Sequence, residues 1–309
     1  MNTATTSSIT LEDLVPSTAT ARTKGWRRIA HSLIAHRLAA IGIITLLAMM
    51  IAAVFAHLVA PYDPEWQERA ERLTPPLGFG EESGRFYLMG TDALGRDIFS
   101  RVIYGARISL IIGFSSVAIS APVGVLLGLI SGYSSRWIDD VIMRIADVQL
   151  AFPFILLAMV IVSVLSPSIP NLIIVLAISG WVMYARVVRG QVLVMKEMEF
   201  IQAAEASGCS NSRILLRHLL PNVLTPVIVL VTFGLASMIL LESSLSFLGL
   251  GVQPPTPSWG GMLNASRDYI STAWWVSVMP GAAIMLTVLS VNFLGDWLRD
   301  ILDPKEQMK

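Results

Sequence analysis

Charge is scarce in this chain. Only 14% of its 309 residues are Asp, Glu, Lys or Arg, while 54% are hydrophobic; soluble domains carry roughly 25% charged residues. With a mean hydropathy of +0.66, the deficit excludes an ordinary soluble domain and points to a membrane protein. Cysteine is almost absent. Cys209 stands alone, which excludes an intrachain disulfide and a cysteine-built zinc site. The four histidines (His31, His36, His57 and His218) show no metal-ligand spacing. His31 and His36 read as membrane-edge residues, and His57 sits near the end of an apolar run. No G-x-x-x-x-G-K-S/T loop occurs, so the chain carries no phosphate cradle of that kind. No catalytic triad is recognisable either. Net charge is zero, and without a basic run or aromatic platform nothing points to a nucleic-acid partner.

What the chain does have is long uncharged runs. Residues 1–24, rich in Ser, Thr and Ala, read as a flexible tail. The uncharged run 38–60 is longer than the roughly 7–15-residue core of a cleavable signal and can cross a bilayer, so it is expected as a retained first helix. Residues 61–107 carry eight acidic and six basic side chains and must form an aqueous loop or small subdomain. A second helix is expected over 108–133, with Pro122 and Gly124 inside it, breaks that neighbouring helices can tolerate. The 38 uncharged residues from Val148 to Ala185 are too long for one span. A turn at the Pro-rich hexapeptide 166–171 divides them into a third helix, about 145–165, and a fourth, about 172–190. A fifth span follows over 223–250, then a Pro/Gly-rich loop over 251–272. Trp274 and Trp275 fit an interfacial aromatic belt, and a sixth span covers 276–294. The fold class expected is an all-α membrane protein with six transmembrane helices.

Six spans put both ends on one side. With the N-terminus inside, fifteen Lys and Arg lie inside and seven outside, so the positive-inside rule favours cytosolic termini. Arg144 and Asp147, three apart, are expected to pair with each other. Arg186 and Arg189 can snorkel to headgroups at a helix C-terminus. Glu242, deep in the fifth span, should face the bundle interior, a partner or a water-filled path. Lining or gating a pathway and buried hydrogen bonding both remain open for it.

Between the fourth and fifth spans lies a polar island, residues 197–222. Phe200, Ile201 and Ala204 recur at helical spacing in a first short helix, about 198–207. Gly208 suits the positive φ that ends a helix. Ser210 is a plausible N-cap for a second helix over 211–220, which the proline at 221 should stop. Each piece is about 15 Å long, too short to stand alone. On pattern alone, docking to another protein and lying on lipid as a connector are equally good readings.

The run Gln202-Ala203-Ala204-x-x-x-Gly208, followed by His218-Leu-Leu-Pro-Asn222, resembles the "EAA" loop of ABC importer permeases. Leu88-Met-Gly-Thr-Asp-Ala-Leu-Gly-Arg-Asp97 with Ser100-Arg101 and Tyr104-Gly-Ala-Arg107 is similar to the segment before the second helix of peptide-type permeases. So are the runs from Leu248 to Gly260 and from Asn292 to Pro304. Together they resemble the C-type permease subunits of dipeptide, oligopeptide and nickel ABC importers. The resemblance implies the type-1 permease fold over 105–296, an N-terminal region 25–104 holding the extra first helix and long outer loop, and a short tail, 297–309. It implies that Gln202, Ala203, Ala204, Glu205, Gly208, His218, Leu220, Pro221 and Asn222 belong to a loop that couples to cytosolic ATPases. Gln202 stands where the family usually has glutamate, with Glu205 a turn later, so a hydrogen bond rather than an ion pair is expected there. The implied partners are a homologous second permease, one or two ATPases carrying ATP with Mg, and an outer substrate-binding protein, all at a bacterial cytoplasmic membrane. The chain itself is expected to bind no cofactor and to catalyse nothing. Peptides are the expected cargo, with nickel, glutathione or another small solute as alternatives. An ion-coupled secondary transporter would need ionisable groups and inverted repeats that are not evident, and a non-transporting scaffold would need no ATPase.

Overall fold

The computed structural model describes residues 36–302; His31, the expected tail 1–24 and residues 303–309 lie outside them, while residues 297–302 of the expected C-terminal tail continue the last helix. Helix α1 (Arg37–Val54) kinks at Phe55 and ends in a single further turn, α2 (Ala56–Val59). A polar segment follows, with a two-stranded antiparallel hairpin of β1 (Gly78–Phe79) and β2 (Phe86–Tyr87). Next comes a helix of 36 residues, α3 (Ile98–Tyr133). It begins ten residues before the expected start at Ile108. The charges that argued for a loop there are accommodated individually. Asp97 caps the helix, its Oδ2 accepting from the Ser100 backbone N–H at 2.8 Å. Arg101, buried inside the helix, donates to the Pro64 carbonyl at 2.8 Å.

The expected straight third helix over 145–165 is corrected by the structure. α4 (Arg136–Ala151) and α5 (Phe154–Leu165) meet at 91°. Pro153 cannot donate a backbone hydrogen bond and biases Phe152 away from helix; Phe152 is extended (φ −93°, ψ 130°). α4 lies against α6 (Ile169–Met195) through polar contacts: Arg186 with Asp147 at 2.6 Å, and Arg189 with both oxygens of Asp139 at 2.5 and 2.6 Å. Asp147 therefore pairs across helices and not with Arg144, and these two arginines point to carboxylates instead of headgroups. Gln149 donates to the Ile178 carbonyl and accepts from Trp181 Nε1.

After α6 come α7 (Glu199–Ala206), the turn α8 (Asn211–Arg213), α9 (Leu220–Phe247), the short α10 (Trp259–Ala265) and α11 (Trp275–Leu302). α1, α3, α6, the run ending in α9, and α11 are each long and apolar enough to cross a membrane. The bent α4–α5 pair brings the number to six if it counts as one span. Trp274 is exposed as an interfacial residue should be, but Trp275 turns inward and donates Nε1–H to the Thr91 carbonyl at 3.2 Å.

The most extensive helix contact is between α3 and α6, and its cause is a stripe of glycines one turn apart. A Cβ at Gly124 would lie 2.4 Å from the Trp181 carbonyl oxygen, and one at Gly128 2.6 Å from that of Ala185. A Cβ at Gly132 would lie 2.7 Å from Val192 Cβ. Small residues at this spacing let two helix backbones touch. The bundle thus has two ends. One, called here the tail end, brings together Arg37, the last turns of α11, Tyr133 and the polar island. The hairpin end carries the β1–β2 segment, α10 and the start of α11, stitched by Trp259 Nε1–H to the Val102 carbonyl at 2.9 Å.

Candidate coupling site

The polar island folds as a helix, a glycine turn and a second helix that never stops. α7 covers Glu199–Ala206, close to the expected 198–207. Its end is a paired turn: Cys209 N–H bonds the Ala204 carbonyl at 3.1 Å and Gly208 N–H that of Glu205 at 2.9 Å. Gly208 sits at φ +77°, and a Cβ there would meet nothing within 4 Å. Backbone conformation, not space, therefore requires glycine. Ser210 has the extended backbone of an N-cap but makes no capping hydrogen bond; its hydroxyl meets that of Ser212 at 3.3 Å.

Pro221 does not end the second helix as expected. Residues Ile214–Leu219 widen into a π-helical turn and α9 follows without a break, so Asn211–Phe247 is one continuous run. A proline in a helix lacks a donor and crowds the carbonyl four residues back; a π turn relieves both by shifting the register. Leu220 accordingly stays helical (φ −52°, ψ −48°). The consequence is mechanical. The second half of the loop is the start of a membrane helix.

The loop is seated on the tail end by an apolar cluster. Ile201, Ile214 and Leu219 are fully buried against Val125 and Leu129 of α3, Val188, Val192 and Met195 of α6, and Val223 and Val227 of α9. Ala204, Cys209 and Leu220 are partly buried beside them. Tyr133, the last residue of α3, adds a polar tie that sequence reading missed. Its hydroxyl donates to Glu205 Oε1 at 3.0 Å, with Asn211 Oδ1 at 3.4 Å as the alternative acceptor. Nothing in the sequence links positions 72 residues apart. Gln202 folds back to donate to the Glu197 carbonyl at 3.2 Å, and Asn222 Nδ2–H bonds the His218 carbonyl at 2.6 Å.

The other face is open. Phe200, Ala203, Ala206 and Ser207 are all exposed, and their spacing puts them on one side of α7. Phe200 presents 44% of its surface, and Leu216 on the second helix 60%. A side of small residues edged by large apolar ones can be approached closely by another protein. Gln202, Glu205, Pro221 and Asn222 are exposed, and His218 is half-buried.

Glu242 is not part of this site. It is fully buried in α9, accepting from Ser246 Oγ at 2.8 Å and Ser243 Oγ at 3.3 Å. Ser246 Oγ also takes the Val252 N–H at 3.3 Å. Within this chain Glu242 is thus tied through Ser246 to the start of the loop after α9.

Fold and site together define a helical membrane subunit that offers a braced loop at one end. Comparison with known proteins gives the class its family. Residues 124–307 match the family described as "binding-protein-dependent transport system inner membrane component", and residues 25–76 match the N-terminal transmembrane domain of oligopeptide transport permease C. The chain is 46% identical over 280 residues to the di/tripeptide transport system permease protein DppC of Pseudomonas aeruginosa, covering 91% of each. It is 47% identical over 282 residues to the glutathione transport system permease protein GsiD of Escherichia coli, covering 91% of this chain and 89% of that one. Among solved structures, inward-facing MetNI, a methionine ABC transporter, superposes with a TM-score of 0.50 at 19% identity over 63% of this chain and 91% of that one. That likeness shows the fold. The chain belongs to the binding-protein-dependent transport system inner membrane components, as a C-type permease of ABC importers.

Proposed function

We propose that this permease serves an ATP-driven importer that moves short peptides across the bacterial cytoplasmic membrane, with both termini and the 197–222 loop in the cytosol. ATP with Mg acts on separate ATPase subunits, a homologous second permease completes the pathway, and an outer binding protein delivers the peptide. ATP can drive the cycle only by favouring one state of the assembly over another. The observation that supports the loop as the lever is its double character: an exposed small-residue face on α7 over a buried face seated on three membrane helices. A push on such a loop reaches α3, α6 and α9 together. Relatives named for di/tripeptide transport support peptide as cargo. Glutathione, itself a tripeptide, is the second reading, favoured by relatives of equal similarity named for it.

The test is uptake into vesicles holding the permease pair, the ATPases and the binding protein. Peptide uptake that needs ATP and survives collapse of ion gradients is expected. Uptake that follows the ion gradient and ignores ATP depletion would overturn the reading, as would purification of a transport-competent permease without any ATPase. Competition between a dipeptide and glutathione separates the two cargoes.

A further inference from the structure

The motif from Leu88 to Arg101 does more than start α3. Asp92 Oδ1 accepts from the backbone N–H groups of Leu94 and Arg96 at 2.8 and 3.1 Å, closing a tight turn. Its Oδ2 takes Arg96 Nε–H at 2.7 Å, and Arg101 Nε lies 3.7 Å away. One carboxylate therefore serves two guanidinium groups whose side chains are only 9% and 7% exposed. Asp97 gives Oδ2 to Ser100 and makes no ion pair within 4 Å among the described residues, and Glu65 acts on Arg101 from an exposed position beyond ion-pair distance. Two guanidinium groups thus share one carboxylate within ion-pair distance in a nearly buried place, which is costly unless something further answers them.

The unanswered part opens on a cavity. Among the described residues the Arg96 side chain hydrogen-bonds through Nε alone, and that of Arg101 through one terminal nitrogen, to the Pro64 carbonyl. None of their remaining nitrogens is sealed in the interior. They border a space of about 250 Å³ at the hairpin end, walled also by Asp92, Ala265, Asp268 and Tyr269. Tyr269 is fixed there by Arg72, which donates to its hydroxyl at 3.2 Å. Asp268 is exposed and makes no ion pair within 4 Å among the described residues. The cavity thus has forked donors suited to a carboxylate and a free carboxylate suited to an ammonium. Its size lies just below the roughly 300–1,000 Å³ of ordinary ligand pockets, which restricts it to a small ligand.

We propose that this cavity binds a short peptide as a zwitterion, its terminal carboxylate on Arg96 and Arg101 and its ammonium at Asp268. The inference rests on the peptide reading and adds a receiving site on the permease itself. The recessed guanidinium groups favour a free chain end over a flat protein surface, and the exposed Asp268 disfavours an acidic docking partner.

The test uses the purified importer complex without its binding protein and radiolabelled dialanine in equilibrium dialysis. Dialaninamide, lacking the carboxylate, and N-acetyl-dialanine, lacking the ammonium, are each expected to bind about tenfold more weakly or worse, the loss of one charge-assisted contact. Asp268→Asn should weaken dialanine but leave N-acetyl-dialanine unchanged. Ala265→Phe, which fills the cavity without touching a charge, should abolish dialanine binding while thermal stability holds. Equal binding of all three peptides, indifference to both substitutions, or an effect confined to docking of the binding protein would overturn the proposal. Peptide uptake is measured on the same preparation with the binding protein restored. Uptake without cavity binding refutes the cavity alone; absence of uptake for every peptide refutes the functional reading.

Discussion

Replacing Ile201 by alanine should uncouple this permease without unfolding it. α7 has eight residues, so it is about 12 Å long and cannot persist alone in water. Ile201 is its one fully buried side chain, with Ala204 partly buried beside it. Truncating a buried isoleucine to alanine costs about 2–5 kcal/mol. Even about 3 kcal/mol shifts a docked–undocked equilibrium roughly a hundredfold, and α7 has no second fully buried side chain to absorb that; the Tyr133–Glu205 hydrogen bond is worth only about 0.5–1.5 kcal/mol. The membrane helices keep their own contacts, chiefly the α3–α6 seam, so insertion should be unaffected. The assay is ATP hydrolysis and peptide uptake measured together in vesicles holding the full importer. Uptake per ATP hydrolysed should fall at least about tenfold, with Ile201→Val, which typically costs 0.5–1.5 kcal/mol, in between. Unchanged uptake per ATP in Ile201→Ala would refute the idea that α7 transmits force through its buried face.

Gly208→Leu should insert normally and lose uptake, because a left-handed backbone costs an L-residue roughly 1–2 kcal/mol; full ATP-dependent uptake in vesicles would contradict this. Tyr133→Phe removes only the tie to Glu205 and Asn211, so a milder loss is expected, about 0.5–1.5 kcal/mol in loop stability, read as faster proteolysis between α7 and α8. Gly128→Leu should instead prevent α3 and α6 from meeting and lower the thermal unfolding temperature of the whole subunit, since its Cβ would press on the Ala185 backbone. Glu71 gives a pH prediction at the hairpin end. Burial pushes its carboxyl up, but hydrogen bonds from Ser83 and Glu82 together outweigh that and hold it below the ordinary value. A lowered folded pKa contributes stability that is present above the unfolded value, about 4.3, and lost as pH falls through the folded one. Protease resistance of the 61–97 segment should therefore hold at neutral pH and fall in acid, and Glu71→Gln should flatten that dependence.

The spans were legible because uncharged runs have few other fates, and the island was legible because charge and helical spacing return there together. What sequence missed has a common cause. Proline signals its chemistry but not which neighbour will compensate. Pro153 lies inside the helix expected over 145–165 and breaks the α4–α5 pair at 91°, whereas Pro221, expected to stop a helix, is absorbed by a π turn. Charges misled in the same manner. Arg101 argued for a loop, yet the Pro64 carbonyl and Asp92 let it sit inside α3. Asp147 paired with Arg186, 39 residues away, instead of its neighbour Arg144. Gly124, expected as a tolerated break, instead belongs with Gly128 and Gly132 to a stripe whose partner helix no local pattern names. Tyr133 carried no local signal at all, because its role exists only once α3 ends beneath the loop.

On the proposed function, α7 meets an ATPase through its exposed face. A photoreactive phenylalanine analogue at Ala203, in the middle of that face, tests it in the intact importer in native membranes. An adduct between the permease and an ATPase subunit is expected, with its yield changing between nucleotide-free and ATP-bound states. An active importer in which Ala203 reacts only with lipid, or with no ATPase in any nucleotide state, would contradict it.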